Sequence, residues 1–274
     1  MSELGDLLVV GAGSLGARVA TVWQASSPAH VNVLAETRGT ERHDALERVG
    51  VTTRRRSDPP PALFPFVLFA VPPSALGRAD KVAAAYRAEA RRAAGLWNGR
   101  GMLVLSSSTA VYAESEGGPC TERSPLTETS RAQRLLGAEE EVLLRGGCVV
   151  RLAGLYDDQR GPHRVFLRME RSPRRPDGVL NLIHYDDAAS LCVGALVAGR
   201  SREVYMGCDG APLTRNEIVR QAFEAGHGKG RPSLNFEGRD GPLGRRCDNG
   251  WTRDKLMWTP RYASFGEWLK SEAL

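Results

Sequence analysis

Little in this chain supports a disulfide scaffold, a metal centre or a membrane segment. It has only five cysteines, an odd number. Cys120, Cys148, Cys192, Cys208 and Cys247 lie far apart, and C-x-x-C does not occur. That argues against a disulfide framework and a zinc ribbon, and it points to a reducing compartment. Cys148 and Cys192 fall in apolar runs and read as core thiols. No apolar stretch approaches the ~20 residues that a membrane span needs. The most hydrophobic window, Leu63 to Val71, stops at Pro72-Pro73. The first strand signal comes within a few residues of Met1, so no secretory or transit peptide is expected within this sequence, and a removed targeting segment stays open. The expectation is a soluble protein of a reducing intracellular space, cytoplasm or plastid stroma. There is no internal repeat, no cluster with metal-ligand spacing and no nucleophile–base motif.

The formal charge is +5 and the pI is near 9.1, which is mildly basic. The basic clusters are scattered: Arg54-Arg55-Arg56, Arg91-Arg92, Arg171 with Arg174-Arg175, and Arg245-Arg246. No aromatics interleave with them, so they read as solvated loops and helix faces and not as a nucleic-acid stripe.

The 274 residues, 42% of them hydrophobic and 25% charged, suit one large α/β domain or such a domain with a small appendage. Strand and helix signals alternate through the first half. Strands are expected at Leu7–Val10, Val31–Ala35, Val51–Thr53, Phe64–Ala70, Met102–Ser106 and Cys148–Leu152. Helices are expected at Ser14–Gln24, His43–Val49, Ala79–Ala94 and Arg131–Leu144. Near-continuous apolar strands between helices mean a parallel sheet covered on both faces, doubly wound by right-handed crossovers. Its ligand crevice belongs at the strand C-termini, where strand order reverses.

The second half is less regular. Asp157–Arg175 reads as polar chain rich in Arg and Pro, and residues 226–250 as a Gly- and Arg-rich loop. Between and after them come a strand (Val179–Ile183), a helix (Asp186–Ala198), a strand (Glu203–Met206), a helix (Thr214–Ala225) and a short last helix (Phe265–Leu269). Thr214-Arg215-Asn216-Glu217 fits a capping box, and a carboxylate of Asp186-Asp187 is expected to cap the helix after His184. The organisation expected is a dinucleotide-binding domain over 1–156. Residues 157–274 would add a last strand and helix, at about 179–206, and a small substrate-side subdomain.

The most informative segment is LLVVGAGSLG, residues 7–16. Gly11, Gly13 and Gly16 have the spacing G-x-G-x-x-G, between a first strand and a helix, with another strand about 20 residues on. The first glycine lets the chain turn and the second lets a pyrophosphate approach the backbone. The third lets helix pack on strand, and the helix N-terminus offers N–H groups to the phosphates. The end of the second strand then selects the cofactor. If Thr37 takes the place of the usual acid, Arg38 follows it and can meet a 2′-phosphate, which favours NADP. Moved by one residue, the register makes Glu36 an acid of the NAD type. The expected cofactor contacts are Gly11, Gly13, Ser14, Leu15, Gly16, Thr37, Arg38, Ala70, Val71, Pro72 and Ser106.

A further series of motifs runs in order along the chain. SSSTAVY (106–112), CTERSPL (120–126), VVRLAGLY (149–156), NLIHYDDAASL (181–191), DGAPLTRNEI (209–218) and LMWTPRYASF (256–265) resemble those of extended short-chain dehydrogenase/reductases. The branch most similar is the atypical one of NAD(P)-binding, epimerase/dehydratase-like proteins of bacteria and plastids; RGPHRVFL (160–167) and GPLGRRCDN (241–249) add to that likeness. The resemblance covers nearly the whole chain. It implies a seven-stranded Rossmann sheet, a small C-terminal substrate subdomain, and oxidoreductase or epimerase-like chemistry on a small polar or nucleotide-sugar-like substrate.

Family chemistry uses Ser or Thr with a Tyr and a Lys four residues beyond it, as general acid–base groups beside a hydride carrier. Ser108 matches the Ser. The Tyr and Lys are missing. Aligning Ala138-Glu139 with the family's Ala-Glu puts Arg131 at the Tyr and Leu135 at the Lys; one residue earlier gives Ser130 and Arg134. An Arg stays protonated and cannot exchange the proton, though it can clamp an anion. The resemblance leaves Ser108, Tyr112 and Arg131 as catalytic candidates, with Tyr156, His163 and Asn181 on the substrate side. The rival expectation is a catalytically silent NADP-binding scaffold or redox-sensing interaction protein.

Overall fold

The structure is a computed structural model that describes residues 4–76, 81–228 and 234–272. Through the first half the order is β1 (Leu7–Val10), α1 (Ser14–Ser26), β2 (Val33–Thr37), α2 (His43–Glu47), β3 (Thr52–Arg55), β4 (Phe66–Phe69), α3 (Lys81–Ala94), β5 (Leu103–Ser108), β6 (Glu116–Cys120), α4 (Ser130–Leu144) and β7 (Cys148–Leu152). There follow β8 (Gly154–Tyr156), α5 (Pro162–Phe166), β9 (Arg171–Ser172), β10 (Val179–Leu180), β11 (Leu182–His184), α6 (Tyr185–Ala198) and β12 (Val204–Gly207). Last come β13 (Leu213–Thr214), α7 (Arg215–Glu224), β14 (Asn235–Phe236), β15 (Gly244–Cys247), α8 (Gly250–Leu256) and α9 (Phe265–Glu272). The expected start of the helix before Ala94, residues 79 and 80, lies outside the described residues.

Seven strands form one parallel sheet in the order β12-β7-β5-β4-β1-β2-β3. This is the doubly wound Rossmann arrangement. Strand order reverses between β1 and β4, and the crevice of such a sheet opens there. Both strands are buried along their whole length, Leu7–Val10 and Phe66–Phe69. They show no alternation because helices cover both faces, which is why their sequences read as continuous apolar runs.

The chain divides into two compact units that interleave along the sequence. The first comprises Met1–Val111, Thr127–Arg151 and Ala189–Tyr205; the second comprises Tyr112–Leu126, Leu152–Ala188 and Met206–Leu274. Within the first unit Trp23 of α1 packs on Phe66 with ring centroids 4.9 Å apart, and its indole N–H donates to the Gly5 carbonyl at 3.0 Å. Burying a side chain of this size contributes roughly 1.5–3 kcal/mol, and the bond satisfies the one polar atom that goes with it. On α4 the buried carboxylate of Glu139 takes Arg151 Nη2 at 2.7 Å and Ser107 Oγ at 2.5 Å, so helix, β7 and β5 share one charge-assisted node.

The second unit has its own core, in which Tyr156, Phe265 and Trp268 stack edge to face around Leu182 and Ile218. The capping box of α7 forms as the sequence predicts: Thr214 Oγ1 accepts from Glu217 N at 3.2 Å, and the Glu217 carboxylate accepts from Thr214 N at 2.7 Å. The cap of α6 differs from expectation. His184 Nδ1 accepts from Asp186 N at 3.2 Å, while the Asp187 carboxylate accepts from Arg261 N at 2.6 Å and Tyr262 N at 3.1 Å.

Other departures are in the non-local pairs. The single strand expected over 179–183 is two, with different partners: β10 pairs with β13 and β11 with β8. The break is at Asn181, whose side chain donates to Arg245 O at 2.9 Å and accepts from Cys247 N at 2.8 Å. Residues 226–250, expected as loop, contain β14 and β15, and α8 follows at Gly250. The polar run 157–175 contains α5 and β9. Glu116–Cys120 pairs with Gly244–Cys247 in parallel. Sequences such as EGGPC and GRRC carry no period-2 signal, because each strand gains its hydrogen bonds from a distant partner and buries little.

Candidate functional site

The glycine turn joins β1 to α1 inside the first unit. Gly11 sits at φ +94°, a conformation that glycine adopts without a Cβ penalty. A Cβ there would lie 2.8 Å from Val71 N and 2.9 Å from Ala70 C, so the turn also has to be bare because β4 ends against it. A Cβ on Gly16 would collide with the Gly11 carbonyl oxygen and come within 2.9 Å of Val9, which fixes how closely α1 lies on β1. Gly13 is the contrasting case. Nothing lies within 4 Å of where its Cβ would be. Packing does not require this glycine, and the bare backbone faces open space at the start of α1. Gly13 is the N-cap and offers no side-chain bond, so the first N–H groups of α1 keep their unspent donor capacity and dipole. Leu15 is buried, and Ser14 Oγ takes Arg42 Nη2 at 3.4 Å.

A cleft of about 280 Å³ opens over this turn. The ends of β2 and β4 and the segments after them form its walls: Thr37 and Arg38 on one side, Val71, Pro72 and Ala75 on the other. Ala70 N holds the β4 end to Val10 O at 2.8 Å, and Gly11 N and Ala12 N both donate to Glu36 O at 3.0 Å. Thr37 ends β2 and spends its hydroxyl inside the protein, donating to Gly39 O at 2.7 Å and contacting His43 Nε2 at 2.6 Å. Glu36 is 2% exposed. Its carboxylate is paired with Arg92 and, at 3.3 Å, with Arg54 Nε. Glu89 is held in the same network by Arg56 at 2.9 Å and Arg92 at 2.7 Å, and these guanidiniums keep its carboxyl below the usual range against the opposing effect of burial. Two of the three acids lining the cleft, Glu36 and Glu89, are thus neutralised; the third, the exposed Glu41, has no ion pair among the described residues. Among the described residues neither Arg38 nor Arg42 pairs with a carboxylate, and Arg38 donates only to the Ala75 carbonyl.

The residues expected as the cofactor contact Ser106 and as the catalytic candidates Ser108, Arg131 and Tyr112 have the following surroundings. Ser106 Oγ donates to Phe69 O at 3.4 Å, and Ser108 Oγ accepts from Ala110 N at 3.2 Å. Helix α4 starts at Ser130 with Thr129 as its cap, so Arg131 stands exposed in the first turn and Leu135 is buried one turn on. No proton-exchanging side chain stands at either position. Tyr112 is buried, and its hydroxyl donates to Glu122 O at 3.3 Å.

In the second unit Tyr156 and His163 lie together in the aromatic core, both against Trp268 with centroids 5.1 and 5.5 Å away. Among the described residues, neither the Tyr156 hydroxyl nor either ring nitrogen of His163 has a hydrogen-bond partner. Burial pushes His163 down to about 4, so it is neutral at physiological pH, and pushes the Tyr156 phenol up. Asn181 ties β15 in place through both ends of its amide. A group that sequence reasoning missed is Asp209. Its carboxyl is buried after β12, one oxygen accepts from Ala211 N at 2.9 Å, and the other has no partner. Burial raises it to about 7. Its sequence signals were its place directly after Tyr205–Cys208 and at the head of DGAPLTRNEI.

A doubly wound parallel sheet with a glycine turn at its switch point defines the Rossmann class, and comparison with solved structures agrees. A functionally unknown conserved protein from Silicibacter pomeroyi DSS superposes with a TM-score of 0.78 at 21% identity, over 98% of each chain. MoeE5 in complex with UDP-glucose and NAD gives 0.75 at 19% identity, over 98% of this chain and 97% of that one. The dTDP-glucose 4,6-dehydratase of Bacillus anthracis str. Ames in complex with NAD gives 0.78 at 14% identity, over 98% and 95%. These likenesses establish the fold along the full length. No protein-family model matches the chain, and no curated protein matches it in sequence. No helix among the described residues is long and apolar enough to cross a membrane.

Proposed function

We propose that the chain binds a nicotinamide dinucleotide over the Gly11–Gly16 turn, with NADP preferred, and acts as an oxidoreductase or epimerase-like protein on a small polar or nucleotide-sugar-like substrate. The observation that carries this reading is the asymmetry of the three glycines. Gly11 and Gly16 are required by contacts within the protein; Gly13 is required by none, and its bare backbone opens into the cleft. A diphosphate above it explains that glycine. Structures with NAD and nucleotide sugars bound to proteins of this fold support the ligand class.

The preference for NADP rests on charge. Glu36, the acid near the end of β2 that an NAD site would use for the ribose, is spent on Arg92 and Arg54. Arg38 and Arg42 line the cleft and pair with no carboxylate among the described residues, against one unpaired acid, Glu41, and the remaining positive charge suits the 2′-phosphate. Gly11, Gly13, Ser14, Thr37, Arg38, Val71 and Pro72 would hold the dinucleotide, which supplies hydride transfer when bound.

A second reading is favoured by one residue. Leu135 occupies the place where the resembling family has its Lys, so no cation stands there to lower the pKa of a proton donor or to hold a ribose. On this reading the chain is a silent scaffold that the cofactor stabilises. The two readings separate in one experiment. Titrate the protein with NADPH and NADH by fluorescence, then follow oxidation over a panel of aldehydes, ketones and nucleotide sugars. Binding with turnover supports the enzyme. Tight binding with no turnover on any substrate supports the scaffold, and no binding of either dinucleotide overturns both.

A further inference from the structure

Five cysteines scattered in sequence become, in the second unit, a close group of three. Cys120 ends β6 and Cys247 ends β15, and the parallel pairing of the two strands sets these residues directly opposite each other. The two thiols are close enough to perturb each other's ionisation. Both are buried, at 0% and 4% exposure, and both are reduced. The third, Cys208, points elsewhere: its thiol meets the Cys247 carbonyl oxygen at 3.8 Å.

We propose that Cys120 and Cys247 are a reactive dithiol, a modification site that a hydroperoxide converts to a disulfide joining β6 to β15. The geometry carries the argument. Neighbouring strands are spaced by ~4.8 Å, and Cα atoms of disulfide-bonded cysteines lie ~4.4–6.8 Å apart. Residues facing each other in adjacent strands therefore meet the Cα requirement of a disulfide. The Asn181 side chain pins this register by accepting from Cys247 N at 2.8 Å. The residues that follow each cysteine, Thr121–Arg123 and Asp248, line a cavity of about 230 Å³ together with Trp251, and a small oxidant can enter a space of that size.

The chemistry also favours one sulfur as the nucleophile. The neighbouring Cys247 thiol, helped by Ser124 and Arg245, brings the Cys120 thiol below its ordinary range against the opposing effect of burial. Cys247, next to Cys120 and buried, keeps its own proton more firmly. The Cys120 thiolate attacks a peroxide oxygen, the O–O bond breaks, and the sulfur becomes a sulfenic acid with release of water or alcohol. Cys247 sulfur then attacks Cys120 sulfur, the S–O bond breaks and water leaves, carrying the Cys247 proton. Two electrons pass from the two thiols to the peroxide. A thiol such as dithiothreitol reverses the change.

The test uses the whole chain. Treat the native protein with hydrogen peroxide, block free thiols with iodoacetamide, and digest with trypsin without reduction. The expected product is peptide 101–123 linked to peptide 247–253, lighter by two hydrogens than the separate pair and split by dithiothreitol. Phenylarsine oxide, which bridges closely spaced thiols, should protect the same two cysteines from alkylation in the untreated protein. Cys208→Ser should leave the link intact, and Cys120→Ser should abolish it. Recovery of Cys247 linked to peptide 203–215, which holds Cys208, overturns the assignment. So does full alkylation of Cys120 and Cys247 after peroxide. Both results come from the wild-type protein and do not depend on any variant folding.

Discussion

Arg92 on α3 and Glu36 at the end of β2 form a pair beneath the cleft, and Arg54 reaches the same carboxylate from β3 at 3.3 Å. The consequence is a charge pattern in which two cations without an ion pair among the described residues, Arg38 and Arg42, outnumber the one unpaired acid, Glu41. Arg38→Ala is therefore expected to weaken NADPH by about 10–100-fold, the ~1.5–3 kcal/mol of a charge-assisted hydrogen bond, and to change NADH by much less. Titrating both nucleotides against wild type and variant checks this. Equal losses would remove the 2′-phosphate from the assignment.

The glycines separate stability from binding. Gly11→Ala places a Cβ at φ +94° and against the backbone of Ala70 and Val71, so it should cost about 1–3 kcal/mol of unfolding free energy. Gly13→Val meets nothing in the protein at its Cβ and should change stability by less than about 1 kcal/mol while abolishing dinucleotide binding. Urea unfolding alongside ligand titration reads both quantities. A Gly13 variant that still binds would contradict the diphosphate site.

Glu139 and Arg151 make a buried pair at 2.7 Å, both largely withdrawn from water. Removing one member strands the other charge. Glu139→Ala is expected to lower stability by about 3–5 kcal/mol. Glu139→Leu combined with Arg151→Met should be less destabilising than Glu139→Ala alone, because it leaves no unpaired buried charge. Urea midpoints for the variants decide the matter.

Asp209 predicts a pH dependence. Burial raises its carboxyl from the ordinary 3.8 to about 7, so the folded protein binds a proton that the unfolded chain has already released. The stabilisation from that proton is complete below about pH 4. It declines as pH rises through the interval and is lost above about 7. Between pH 5 and 8 the wild type should lose stability by a contribution that Asp209→Asn lacks. Unfolding free energies at the two pH values, for both proteins, supply the difference. Identical slopes would show that Asp209 ionises as an ordinary carboxyl.

Much of the architecture was legible along the chain. The apolar runs Leu7–Val10 and Phe66–Phe69, the glycine spacing at 11, 13 and 16, and the capping box at Thr214 all arise from interactions within a few residues or from burial on both faces. Local periodicity and turn chemistry report such interactions directly. The sequence by itself therefore determined the Rossmann class, the glycine turn and the absence of Tyr and Lys at the start of α4. Tertiary structure alone decided what those residues do there. Glu36 looks like a ribose acid in one dimension and is a spent ion-pair partner in three, because Arg92 lies 56 positions away. Cys120 and Cys247 are unrelated thiols until β6 and β15 pair, and Asp209 is an ordinary acid until the second unit closes over it. Charge neutralisation, strand register and desolvation depend on distance in space, and no local pattern encodes that distance.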